Sequence, residues 1–176
     1  MLPEPLFPAG RIGKAHGLRG EVVLIPDPDM PAPLPAEIFL RPRQGGPARA
    51  YAVTRSRERR GAVIAALEGV NDRDAADALR SHILLLPAGV FPPDEPPPAA
   101  LPGIRVFIPD RAGGERELGR IAKAERPAGQ TIWSIITENG DEILFPAVQE
   151  FILSLDAEKG EARIAPPPGL LELYLS

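Results

Sequence analysis

With 176 residues, 44% of them hydrophobic, the chain is long enough for one large domain or two small ones and too apolar for disorder throughout. The absence of cysteine excludes disulfides, thiolate metal sites and a cysteine nucleophile, and two histidines supply a histidine metal site poorly. The formal charge of −4 conceals an asymmetry: residues 1–90 carry 12 cations against 10 acids, a net of +2, and residues 91–176 carry 8 against 14, a net of −6.

The N-terminal stretch MLPEPLFPAG holds an acid and three prolines and does not read as a secretory signal. No apolar run approaches the roughly 18 residues that span a bilayer. A cytoplasmic protein without a membrane partner is expected. The next segment, GRIGKAHGLRGEVV from Gly10 to Val23, is unusually dense in glycine. Glycine gives up more backbone entropy on folding than any other residue, so a run of this kind predicts a tight loop or a close approach to the backbone. Two readings stand for it. It is either a loop entering the first strand with Arg11, Lys14 and Arg19 solvated, or a partner-binding loop. A Walker loop is excluded because Lys14 precedes Ala15 and a strand pattern follows, not Ser or Thr and a helix. His16 has no orienting acid or nucleophile in its neighbourhood of the sequence, so no catalytic role is expected for it.

Short runs rich in valine, isoleucine or leucine then predict strands at Glu21–Ile25, Ile38–Arg41, Ala50–Thr54, Val63–Leu67 and His82–Pro87. Between Arg41 and Arg60 stand seven arginines and one acid, Glu58. Arg55, Arg57 and Arg59 alternate, so on a strand they share one face. That face either holds a nucleic-acid backbone or is a solvated edge that blocks strand-to-strand pairing. Asn71 as N-cap, followed by Asp72 and Asp74 and an alanine-rich run, predicts one helix. Twenty-three prolines forbid long helices, and the cluster FPPDEPPPAALP predicts a stiff extended linker near Phe91–Leu101. Beyond it, strands are expected at Arg105–Pro109, Leu118–Ala124, Thr131–Thr137, Glu142–Pro146, Phe151–Leu155 and Ala162–Ala165, with Trp133 buried or half-buried. Asn139-Gly140 marks a hairpin in which both residues tolerate positive φ. The whole reads as two mainly β modules.

The segments GRIGKAHGLRGEV and LEGVNDRDAADALRSHILLLP, followed by LPGIRVF, ELGRIA, EILFPAVQEFILSLDAEKGEARI and PPGLLE in order, resemble the ribosome maturation factor RimM family over nearly the whole chain. The resemblance implies an all-β (mainly) fold of two small barrels. The first, residues 1–90, is a translation-factor-like six-stranded barrel with one short helix; a proline-rich linker spans 91–101; a PRC-type barrel occupies 102–176. It implies no catalysis and no cofactor or metal. It implies a monomeric assembly factor that binds the immature small (30S) ribosomal subunit and ribosomal protein S-nineteen, with rRNA as a possible direct contact, and that assists maturation of the subunit head and processing of its 16S rRNA. The alternative is a two-barrel protein-binding adaptor unrelated to the ribosome, since a fold does not fix a function. Candidate partner-binding residues are Gly10, Arg11, His16, Gly17, Arg19, Gly20, Arg55, Arg57, Arg59 and Phe145. One departure stands out: where the family carries a tyrosine pair before its second barrel, this chain has Pro96-Pro97, and Ser81 stands where glycine is usual.

Overall fold

The computed structural model describes residues 5–92 and 94–175. Residues 1–4 of the N-terminal stretch, Pro93 of the proline cluster and Ser176 lie outside the described residues. The chain divides into two compact units, Met1–Phe91 and Pro92–Ser176.

The first unit is a closed six-stranded barrel in the order β1-β2-β5-β4-β3-β6. Its strands are β1 (Leu6–His16), β2 (Glu21–Pro26), β3 (Glu37–Arg41), β4 (Arg49–Arg59), β5 (Ala62–Leu67) and β6 (Ile83–Pro87). Every pairing is antiparallel. Strand alternation sends one face inward: Ile12 opposes Leu24, Val22 opposes Ala65 and Leu40 opposes Leu84. All six are buried in one core. The glycine-rich run is therefore not the loop that both readings expected: Gly10–His16 form the second half of β1, and only Gly17–Gly20 form the turn. Gly10 explains itself by close approach. A Cβ there would sit 2.4 Å from the carbonyl oxygen of Ile25 on the neighbouring strand.

The helix α1 (Arg73–Ala78) packs on this barrel through Ala76 and Leu79. Its N-cap is Asp72, not Asn71 as the sequence suggests. The Asp72 backbone is extended (φ −141°, ψ 170°), and its carboxylate accepts from the Ala75 N–H at 2.8 Å. The two-residue turn from β4 to β5 is Arg60-Gly61, with φ of 50° and 76°. That double positive φ is the one expected at Asn139-Gly140, where only Gly140 adopts it. There the connection is instead a three-residue loop closed by Gly140 N–H donating to Thr137 and Thr137 N–H to Asp141.

The second unit is a six-stranded sheet in the order β10-β9-β8-β7-β12-β11. Its strands are β7 (Arg105–Pro109), β8 (Glu115–Glu125), β9 (Ile132–Thr137), β10 (Glu142–Pro146), β11 (Ile152–Asp156) and β12 (Glu161–Ile164). β12 and β7 run parallel, and the other neighbours are antiparallel. Ile143 and Phe145 of one outer strand and Ile152 and Leu155 of the other feed the same core, so the sheet wraps around it as a barrel-like layer. Trp133 lies at its centre, 5.6 Å from the Phe145 ring centroid. A short C-terminal helix α2 (Leu170–Tyr174) adds Leu170, Leu171 and Tyr174 to that core. The sequence reading did not anticipate it.

The proline-rich stretch is shorter as a spacer than its composition suggests. Phe91 is buried in the first core, while Pro98–Ala100 form a 3-10 turn and Leu101 is buried in the second core.

Candidate partner-binding surface

The two segments that first suggested a family fold onto one another. Gly20, at the end of the β1–β2 turn, is packed so tightly that a Cβ would meet the Val70 carbonyl oxygen at 2.3 Å and the Asp72 nitrogen at 2.8 Å. β1 bulges between Ile12 and Ala15, and there the Asp77 side chain of α1 accepts from the Ala15 N–H at 3.2 Å. The Ser81 N–H donates to Ile12 and the Ile12 N–H to His82. Helix α1 thus braces the hairpin, which presents Leu18, 77% exposed, and Arg19 at its tip. Ser81 reaches this contact with φ of 67°, a left-handed conformation that glycine adopts without cost.

On the outer face of the barrel, Arg55, Arg57 and Arg59 oppose Ala66, Ile64 and Ala62 of β5, which confirms their common face. Two of the three are held by Glu21 of β2. Arg57 donates to both carboxylate oxygens, Nη1 at 2.9 Å and Nη2 at 3.2 Å, and Arg55 Nη2 donates to Oε1 at 3.0 Å. The Glu21 side chain is only 13% exposed. The hydrogen bonds from Arg57, and then those from Arg55, hold its carboxyl at about 2, against the opposing effect of burial. Arg57 opposes Ile64, which is 3% exposed although it alternates with the core residues Val63 and Ala65. Arg59 and Arg11 are exposed and have no ion-pair partner among the described residues.

The second unit holds an arginine cluster that sequence reasoning missed. Arg105 Nη2 donates to Glu161 at 2.7 Å, Arg163 Nε to both oxygens of Glu115 at 2.9 and 3.0 Å, and Arg163 Nη2 to Glu161 at 3.3 Å. Both guanidiniums flank Phe107, at 5.4 and 5.5 Å from its ring centroid. The register that creates this cluster, Glu161 beside Arg105 and Arg163 beside Phe107, comes from the parallel β12–β7 pair and joins residues more than fifty positions apart. No local pattern reports it.

The expected site residues separate into two groups. Arg11, Gly17, Arg19, Arg55, Arg57 and Arg59 are exposed, and His16 is half-buried opposite Glu21. Gly10, Gly20 and Phe145 are buried. The two glycines are buried where neighbouring backbone leaves no room for a side chain, and Phe145 is 0% exposed between Trp133 and Phe151. All three pack within the fold. Glu21, which orders two of the arginines, was missing from the expected set. Its signs in the sequence were its place in the motif GRIGKAHGLRGEV and at the start of the strand after the glycine turn. Among the described residues, no group of three or more histidine, aspartate or glutamate side chains is placed to hold a metal ion, and no helix is long and apolar enough to cross a membrane.

A model of the RimM N-terminal domain matches residues 7–89. The protein named ribosome maturation factor RimM in Nitratidesulfovibrio vulgaris is 41% identical over 170 residues, which cover 95% of this chain and 94% of that one. Its counterpart of the same name in Lawsonia intracellularis is 34% identical over 173 residues, covering 98% of this chain and 99% of the relative. The solution structure of the N-terminal domain of RimM from Thermus thermophilus is 21% identical, covers 50% of this chain and 95% of that chain, and superposes with a TM-score of 0.38.

Proposed function

The chain belongs to the RimM family, and from that premise we propose that it is a non-enzymatic, cytoplasmic ribosome assembly factor. As a monomer it binds the immature small subunit and ribosomal protein S-nineteen, and it assists maturation of the subunit head and processing of the 16S rRNA. The observation that carries this reading is the 41% identity, over 95% of the chain, with a protein named ribosome maturation factor. The energetics are those of differential binding: a factor that favours an immature particle must lose affinity as the head completes, and it can shift the population only by that difference.

The exposed arginines of the first barrel suit a polyanionic partner, with Arg11, Arg19, Arg55, Arg57 and Arg59 as the proposed contacts and His16 and Gly17 beside them. The acidic second half suits a basic ribosomal protein. At the family's tyrosine pair, Pro96 is half-buried and Pro97 buried, so an aromatic anchor is not available to the partner there. Sedimentation of the purified protein with immature and with mature small subunits, at two salt concentrations, tests the proposal. Preferential, salt-sensitive pelleting with the immature particle is expected. Equal pelleting with both particles would remove the differential mechanism. Pelleting with neither would favour the adaptor alternative.

A further inference from the structure

Side chains two strands apart meet on the outer face of the first barrel. Arg57 of β4 and Glu21 of β2 are separated by β5, yet guanidinium and carboxylate lie 2.9 Å apart. Ile64, which opposes both Arg57 and Val23, belongs to the strand between them. The same arrangement recurs elsewhere around the barrel with one part missing. β1, β6 and β3 are consecutive because the barrel closes through β6. Arg11 of β1 and Arg41 of β3 both oppose Ile83 of the strand between them. All three stand on the outer face, since their neighbours Ile12, Leu40 and Leu84 are core residues. Two inter-strand spacings put the backbones of Arg11 and Arg41 about 10 Å apart, the same separation as between β2 and β4.

Here both members are cations, and no carboxylate takes the part that Glu21 plays. Neither guanidinium has a hydrogen-bond or ion-pair partner among the described residues. Burial separates this pair from a solvated edge. Arg59 is unpaired but exposed, whereas Arg41 is half-buried. A cation withdrawn from water without a counter-charge costs desolvation free energy, and an oxyanion seated between the two guanidiniums offsets that cost. It supplies to Arg41 what Glu21 supplies to Arg57. Arg43, exposed two positions further on, adds positive charge to the same end of β3.

Resting on the reading that the partner is an RNA-rich subunit precursor, we infer that Arg11 and Arg41 form a phosphate site over Ile83 that takes one phosphodiester of that RNA. Planar guanidinium forks present paired N–H donors that match the oxygens of a phosphate. The contact carries no base information, so it adds affinity and register but no sequence preference. Arg41 opens the arginine-rich stretch of the sequence, and only closure of the barrel through β6 brings it into one row with Arg11, thirty positions earlier.

Nuclear magnetic resonance of the full chain, titrated with inorganic phosphate at constant ionic strength, tests the site. The backbone amide of Ile83 and the side-chain Nε–H groups of Arg11 and Arg41 are expected to shift and saturate together. R41Q should weaken that binding at least about five-fold, and R59Q, which removes an unpaired arginine elsewhere on the barrel, should leave it unchanged. R11Q alters an exposed side chain and repeats the test should R41Q fail to fold. In sedimentation with immature subunits, R11Q/R41Q should lower the slope of log affinity against log salt by about 1, the share of one phosphate contact. Shifts that never saturate, an affinity unchanged in R41Q and R11Q, or an equal loss in R59Q would each overturn the inference. Equal saturation by acetate would overturn it in favour of a carboxylate-bearing protein. If the chain pellets selectively with immature subunits yet does not bind phosphate at Ile83, the inference fails and the assembly reading stands. If phosphate binds there through Arg41 but the chain pellets with neither particle, the phosphate site stands and the assembly reading fails.

Discussion

In the first unit two guanidiniums, Arg55 and Arg57, share a single carboxylate, and Arg59 beside them has none among the described residues. In the second unit two guanidiniums, Arg105 and Arg163, share two carboxylates around Phe107. The residue types are the same and the outcomes are opposite. One cluster is left with excess positive charge on an exposed strand; the other is neutral and closed on itself. The ratio of partners, not the number of arginines, decides which patch is available to an anionic ligand. This is why the net charge of each half describes the two surfaces only coarsely.

The comparison breaks most easily at the arginines. The triple variant R55Q/R57Q/R59Q should lower affinity for the subunit precursor on the order of 100-fold and flatten its salt dependence by roughly 2 in log–log slope. R105Q/R163Q should leave both unchanged. Equal losses in the two variants, measured by sedimentation at several salt concentrations, would show that the ratio of partners is not the distinction. The second variant should instead lower stability, because it removes two ring contacts and an ion-pair network between β12 and β7, and thermal unfolding would register that loss. Ser81→Gly relaxes a left-handed backbone in the brace of the first unit without touching a charge. It should raise stability by about 1 kcal/mol in a denaturant titration and leave precursor affinity where it was, thereby separating firmness of the scaffold from charge. The smallest effect belongs to Glu21. Its carboxyl titrates at about 2 in the folded chain, below its ordinary value of 4.5. A depressed carboxylate pKa contributes stability that is fully present above the unfolded value and is lost as pH falls from there through about 2. Its guanidinium partners are 63% and 47% exposed, so E21Q should cost under about 1 kcal/mol at neutral pH and lessen the acid sensitivity of the first unit between pH 4.5 and 2. Identical acid unfolding of the two proteins would exclude that contribution.

The strands were legible because alternation is local: all five expected before the proline cluster and all six after it are present, shifted or lengthened at their ends. β1 itself was obscured by its glycines. Gly10 and Gly13 serve a close inter-strand approach, which in sequence looks like a turn, whereas only Gly17–Gly20 turn the chain. The proline cluster read as a free spacer because proline composition reports backbone stiffness and not what flanks it; Phe91 and Leu101 at its two ends are core residues. The arginine stripe was legible as a stripe. Its ordering by Glu21 was not, since the partners lie 34 and 36 positions away and meet only once β2, β5 and β4 are side by side. Phe145, picked out by its motif, lies in the second core. A family motif marks positions that matter, and a position can matter by filling a core.

Trp133 is the chain's one tryptophan, and it sits almost wholly sheltered inside the second unit. Intrinsic emission excited at the red edge of the protein band therefore observes that half of the molecule alone, while far-ultraviolet dichroism averages over both. Followed together during denaturation, the two optical signals will trace one curve if the halves lose structure in concert and two curves if they do not. The native chain thus reports its own cooperativity without any attached label.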